Sequence, residues 1–144
     1  MATSRAVIDL QIDHSGTVIA GGNGRSKVYN QAAFAIHAVI HNARPDVVAV
    51  CHSHSPYGSA FSSLSVTKSS TLLTYSGELP DFITQDSLVY YEDIAVYQSF
   101  GGVVLAEEES LNIAKALGDK KAIILQNHGL LTVGQSYVLK SLLF

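Results

Sequence analysis

The stretch "PDVVAVCHSHSPYG", Pro45 to Gly58, decides how the rest of the chain is read. Val47 to Cys51 is an unbroken apolar run between the turn signal Arg44-Pro45-Asp46 and a histidine. It reads as a strand buried on both faces, hence as part of a sheet covered by helices. His52 and His54 follow directly. In extended chain, side chains two apart point the same way, with Cα atoms about 6–7 Å apart. Both imidazoles can then reach one ion at about 2.0–2.1 Å. Ser55-Pro56-Tyr57-Gly58 reads as a turn, with a short helix starting over residues 59–64.

Upstream, residues 6–20 read as a hairpin turning at His14-Ser15-Gly16, and Gly21-Gly22-Asn23-Gly24 as a loop. Asn30 caps a helix running from Gln31 to about Asn42, with Phe34, His37 and Ile40 on one face. Arg44 ends it, because the residue before proline avoids the α region. Downstream, residues 66–81 are polar and aperiodic and read as a loop. Short strands are expected over 87–91, 96–100 and 103–105. Glu107 to Leu117 has the acidic start and Gly118 stop of a helix. Ala122 to Leu125 reads as a second buried strand and Leu130 to Val133 as its continuation, leaving an apolar tail over 135–144. The whole is a mixed α/β single domain.

Composition narrows the function. At 144 residues, 47% apolar and 15% charged, the chain suits one domain with a real core. A net charge of −3 without a basic run argues against nucleic acid as a partner. No apolar stretch approaches the 18 residues of a membrane span. A single cysteine, Cys51, excludes an internal disulfide and suits a reducing, cytoplasmic setting. The low charge points to apolar surface buried against another subunit.

The six histidines offer two metal-like spacings. His37 and His41 share a helix face but sit among Ala, Phe and Ile, where satisfied core or surface histidines explain them better. An H-x-H pair alone is usually coincidence. His52 and His54 gain weight from His128, which also ends an apolar strand and precedes Gly129. Three protein ligands with an open fourth position is the pattern of a catalytic zinc. Cys51, adjacent to His52, faces away, and His14 reads as a solvated turn residue.

At these residues the chain resembles a family. "NQAAFAIHAVIHNARPDVVAVCHSHSPYGSAFSSL", "ITQDSLVYYEDIAVYQSFGGVVL" and "ALGDKKAIILQNHGLLTVG" resemble the class II aldolase/adducin family, especially its adducin-like and fungal branch. The likeness is strongest over residues 6–134, with 66–77 reading as an insertion and 135–144 as a divergent tail. It implies an α/β/α sandwich around a mainly antiparallel sheet, replacing the parallel sheet that the apolar strands alone would suggest. It also implies Zn2+ on His52, His54 and His128, acting as a Lewis acid on a small hydroxy-carbonyl substrate. Carbon–carbon cleavage or condensation through an enediolate follows from that.

Two departures qualify the implied chemistry. The family's acid/base glutamate, about nineteen residues before the first zinc histidine, falls on Ala33, and no acidic residue lies between Gly21 and Arg44. The family's amino-terminal helix and phosphate-contacting loop have no counterpart, so a chain shortened at both ends is expected. Gly21-Gly22-Asn23-Gly24 looks like a phosphate loop only in isolation. Tyr57 is a conceivable proton donor, though packing is the commoner role for such a tyrosine. The expectation is a zinc-dependent lyase assembled as a homo-oligomer. The alternative is a non-catalytic, adducin-like oligomerisation or cytoskeleton-binding domain.

Overall fold

In the computed structural model, residues 10–21, 28–63, 85–98 and 107–136 are described. A small hairpin pairs β1 (Leu10–Ile12) with β2 (Val18–Gly21) antiparallel. Asp13 closes its turn, accepting from the backbone N–H groups of Ser15 and Thr17, while Gly16 adopts φ 85°. His14 is exposed there.

The main sheet has the order β3-β6-β5-β4, from Ala49–Ser53, Gly129–Gly134, Ala122–Leu125 and Ile94–Tyr97 respectively. β6 is antiparallel to both β3 and β5, and only β4–β5 is parallel. Two of three pairings are therefore antiparallel, as the resemblance implied.

Helices α1 (Gln31–Ala43) and α3 (Glu107–Leu117) cover one face. Ile36, Ile40, Ile113 and Leu117 pack there against Val50, Ile123, Leu125, Leu131 and Val133. α2 (Pro56–Ser63) covers the other face. A Cβ on its Gly58 would lie 2.9 Å from Leu130 Cδ1, so glycine permits the close approach. Both faces are covered, and all four residues of β5 are buried. Asn30 caps α1 by accepting from the N–H groups of Ala32 and Ala33, as expected.

The Arg-Pro-Asp turn has a structural role. The Arg44 guanidinium grips both Asp46 carboxylate oxygens at 2.8 and 2.7 Å and donates to the Gly118 carbonyl at 2.7 Å. It thereby ties the end of α1 to the end of α3.

Several boundaries move. β3 lies two residues later than the apolar run suggests, placing His52 and Ser53 within the strand. Ser55-Pro56-Tyr57-Gly58 opens α2 instead of forming a separate turn. Ser55 Oγ accepts from the Gly58 N–H, and Pro56 occupies the first helical position, where its missing N–H costs nothing. The strand expected over 87–91 is a 3-10 helix, Asp86–Tyr90. Its amides bond locally, Leu88 N–H to Gln85 and Tyr91 N–H to Leu88, and Leu88 and Val89 are exposed. β4 begins at Ile94, two residues earlier than expected. The expected strand 103–105, the loop 66–81, most of the glycine loop after Gly21 and most of the tail lie outside the described residues.

Candidate metal centre

The connections fix which end of the sandwich carries the histidines. β3 and β5 are both antiparallel to β6, so they run the same way. His52 is the fourth residue of β3, and His54 follows its end. His128 closes the turn between β5 and β6, where its N–H donates to the Leu125 carbonyl. Asn127 takes the left-handed conformation, φ 58°, which asparagine tolerates better than most residues. Its N–H donates to the Ser62 carbonyl of α2, anchoring the turn. The β3–β6 ladder pairs His52 with Leu131 and Ser53 with Leu130, bringing His128 beside the β3 histidines.

The three imidazoles converge. His52 Nε2 lies 2.7 Å from His54 Nε2 and 3.2 Å from His128 Nε2. Ring centroids are 4.6–4.8 Å apart and the planes are steeply inclined to one another. His52 Nδ1 lies 3.0 Å from the Leu130 carbonyl. A carbonyl only accepts, so Nδ1 carries the hydrogen and Nε2 presents a lone pair. That lone pair faces two ring nitrogens at once and can satisfy one as a hydrogen-bond acceptor. A cation accepts all three donors together. Bonds of about 2.0–2.1 Å in tetrahedral geometry place ligand nitrogens about 3.3 Å apart; the His52–His128 pair stands at 3.2 Å, while the His52–His54 pair at 2.7 Å would have to open by about 0.6 Å to admit an ion. The donor set therefore fits a divalent ion.

Electrostatics keep His52 and His128 neutral. Burial, then the neighbouring His52 and His54, pushes His128 down to about 4, against a smaller opposing pull from the Glu109 carboxylate. Burial also lowers His52, partly offset by its bond to Leu130. Neutral imidazole is the metal-binding form.

Among the described residues, these three form the one group of three or more His, Cys, Asp or Glu side chains able to share an ion. His41 is engaged elsewhere, with its Nδ1 3.1 Å from the Val47 carbonyl at the α1–β3 connection. Cys51 is half-buried, and strand alternation places it on the face opposite His52. Ala33 lies half-buried in the first turn of α1. Tyr57, on α2, is 90% exposed. Sequence reasoning passed over Glu109, the third residue of α3, whose carboxylate accepts from the Tyr97 hydroxyl at 2.9 Å. Its only signal was the acidic run Glu107-Glu108-Glu109. A cleft of about 590 Å³ opens at the opposite end of the sheet, between Arg44, Asp46, Asp93 and Lys121, and contains none of the three histidines.

A covered, mainly antiparallel sheet with three histidines gathered at one end defines an α/β protein with a candidate mononuclear metal centre. The family model for the class II aldolase and adducin N-terminal domain matches residues 3–138, and the chain belongs to that family. It is 42% identical over 127 residues to a 4-hydroxy-3-prenylphenylpyruvate oxygenase/4-hydroxy-3-prenylbenzoate synthase of Streptomyces roseochromogenus subsp. oscitans, covering 88% of this chain and 40% of that one. It is 36% identical to rat (Rattus norvegicus) alpha-adducin over 94% of this chain and 16% of that protein. The L-fuculose 1-phosphate aldolase structure from Glaciozyma antarctica PI12 superposes with a TM-score of 0.69 at 46% identity, over 88% of this chain and 43% of that one. The chain thus spans less than half the length of these relatives. Among the described residues, no helix is long and apolar enough to cross a membrane.

Proposed function

We propose that the chain forms the metal-binding domain of a zinc-dependent lyase that makes or breaks a carbon–carbon bond in a small hydroxy-carbonyl substrate. The observation that carries this reading is the convergence of His52, His54 and His128 on one point, with the His52 Nε2 lone pair turned inward. The likeness to an L-fuculose 1-phosphate aldolase supports the reaction class. When bound, a divalent ion polarises the substrate carbonyl. The protein's part is to supply three ring nitrogens, to hold His52 in one tautomer through Leu130, and to leave His54 exposed to an incoming substrate. Ala33 cannot move a proton, so acid/base assistance comes from another group, a second subunit or water. Assembly as a homo-oligomer in the cytoplasm completes this proposal.

A second reading has its own observation. Ala33 and the likeness to alpha-adducin favour a binding or oligomerisation domain that keeps the metal but not the chemistry.

Metal content and turnover separate the two. Zinc and iron per purified chain are measured for the wild type, His52→Ala and His128→Ala. About one zinc per chain, lost in both variants, is expected, and a folded wild type without metal removes the proposal. Iron in place of zinc would point to the chemistry of the oxygenase relative. Retro-aldol turnover on a panel of ketose phosphates and hydroxy acids, abolished by His54→Ala, supports the lyase. Bound zinc without turnover supports the adducin-like reading.

A further inference from the structure

The short helix α2 bears on the neighbours of all three histidines. It starts two residues after His54, where Ser55 caps it. Ser55 Oγ accepts from the Gly58 N–H at 3.1 Å, and the Ser55 carbonyl accepts from the Ser59 N–H at 2.8 Å. Gly58 lies against Leu130, the residue whose carbonyl holds His52 Nδ1. Near the other end of the helix, the Ser62 carbonyl accepts from the Asn127 N–H at 2.8 Å, one residue before His128.

The turn that carries His128 spends three consecutive amides on three different elements. Gln126 N–H donates to the Tyr97 carbonyl of β4 at 2.9 Å, Asn127 N–H to Ser62 of α2, and His128 N–H to the Leu125 carbonyl of β5 at 3.0 Å. Asn127 meets these demands in the left-handed conformation, φ 58°. Asparagine tolerates that region, whereas a β-branched residue is a genuine outlier there. Backbone held in so sparsely populated a region persists where the surroundings over-determine it, and such places cluster at functional sites. His128 Nε2 stands 3.2 Å from His52 Nε2, already close to the about 3.3 Å between two nitrogens on one tetrahedral ion.

We propose that Asn127 is a positioning residue for the metal centre: its left-handed turn, pinned to α2 through the Ser62 carbonyl, holds His128 at ligand distance from His52. This rests on the reading that the triad holds a divalent ion. The carboxamide of Asn127 takes no part; the backbone conformation that asparagine permits is what matters.

The test compares the full chain with Asn127→Gly, Asn127→Val and Gly58→Ala. Glycine keeps the N–H and takes a positive φ freely, while valine resists it. An alanine Cβ at position 58 would lie 2.8 Å from Ser55 Oγ and 2.9 Å from Leu130 Cδ1, so α2 must shift. Zn2+ affinity is measured by chelator competition well below each melting temperature, and the visible bands of bound Co2+ report ligand geometry. Asn127→Gly should keep wild-type affinity and bands. Asn127→Val should lose at least about tenfold in affinity, as when the support of a ligating histidine is removed, with altered bands. Gly58→Ala should show a smaller loss in the same direction. Wild-type affinity in Asn127→Val or in Gly58→Ala overturns the assignment while leaving the metal site standing. Equal losses in Asn127→Gly and Asn127→Val also overturn it, because they place the effect on the carboxamide. A wild type that binds no Zn2+ removes the metal reading and this assignment with it. Should Asn127→Val fail to fold, Gly58→Ala and Asn127→Gly decide by the same criteria: a loss in the first with none in the second upholds the assignment, and any other result overturns it.

Discussion

Gly129 is where the fold and the candidate centre can be perturbed by one methyl group. It opens β6, is buried, and follows His128 directly. A Cβ at this position would lie 2.5 Å from the Ser53 carbonyl oxygen and 3.2 Å from His54 Cδ2. An ordinary carbon–oxygen contact needs about 3.3 Å, so β3 and β6 must part locally by about 0.8 Å. The obstacle is backbone, which cannot swing aside like a flexible side chain. Overpacking of this kind costs about 1–3 kcal/mol, or roughly 3–10 °C in melting temperature for a chain this size. The strain falls between His54 and His128. Metal sites tolerate ligand distances only within about 0.2 Å of ideal, so a shift near 0.8 Å should weaken Zn2+ binding by at least about tenfold.

Gly118→Ala is the control. Gly118 holds φ 55°, and its nearest neighbour to an added Cβ is the Lys115 carbonyl at 3.9 Å. Alanine there costs about 1 kcal/mol through the left-handed backbone alone, and the site lies at the far end of α3. Gly118→Ala should melt lower with Zn2+ affinity unchanged, whereas Gly129→Ala should lose both. The assay is thermal melting with chelator-competition titration on both variants. A Gly129→Ala protein with wild-type melting and wild-type affinity would refute the reasoning, as would equal affinity losses in the two variants.

Two further predictions follow from other parts of the structure. Arg44→Lys and Arg44→Ala should each lose about 1–2 kcal/mol in urea unfolding, because lysine cannot reproduce the fork on Asp46 together with the bond to Gly118. Full stability in Arg44→Lys would show that the fork geometry is irrelevant. The metal-free protein should lose stability as pH falls from 6.5 towards 4. Over that window the unfolded chain, with histidines near 6.5, binds more protons than the folded one, in which His128 is held at about 4. Discounted for solvent screening, the loss is on the order of 1–2 kcal/mol. Melting across that range checks it, and a slope identical in His128→Gln would sink the attribution.

The parts of the fold legible in sequence were those whose signals are local. Asn30 capping α1, Gly118 ending α3 and the apolar run at Ala122 each act within a few residues, and each element stands where expected. The 3-10 helix at Asp86–Tyr90 was not legible. Leu88, Val89 and Tyr90 resemble a strand by residue type, but the segment closes its backbone hydrogen bonds locally, a choice that only tertiary structure decides. The start of α2 was legible but misread, since Ser55-Pro56 is as good a helix cap and first residue as it is a turn. At the site, the histidine pair followed from strand periodicity, and His128 from its place at a strand end. The Tyr97–Glu109 hydrogen bond did not, because it joins the end of β4 to the start of α3 and exists only once the fold brings them together.

This contrast bears on how metal and chemistry separate in the chain. Three inward-turned imidazoles are a poor arrangement without a cation. His52 has one Nε2 lone pair facing two ring nitrogens, and burial with the repulsion of the neighbouring rings keeps His128 from taking up a proton near neutral pH. Such a cluster is consistent with a fold whose strand ends are shaped by an ion. The first turn of α1 begins at the same end of the sheet, yet it carries the methyl group of Ala33. Proton transfer assistance is typically worth about 10²–10⁴-fold, and a methyl group supplies none. On the proposed reading the metal alone does not suffice for turnover, so metal affinity would persist at full strength where turnover is weak or depends on a partner subunit.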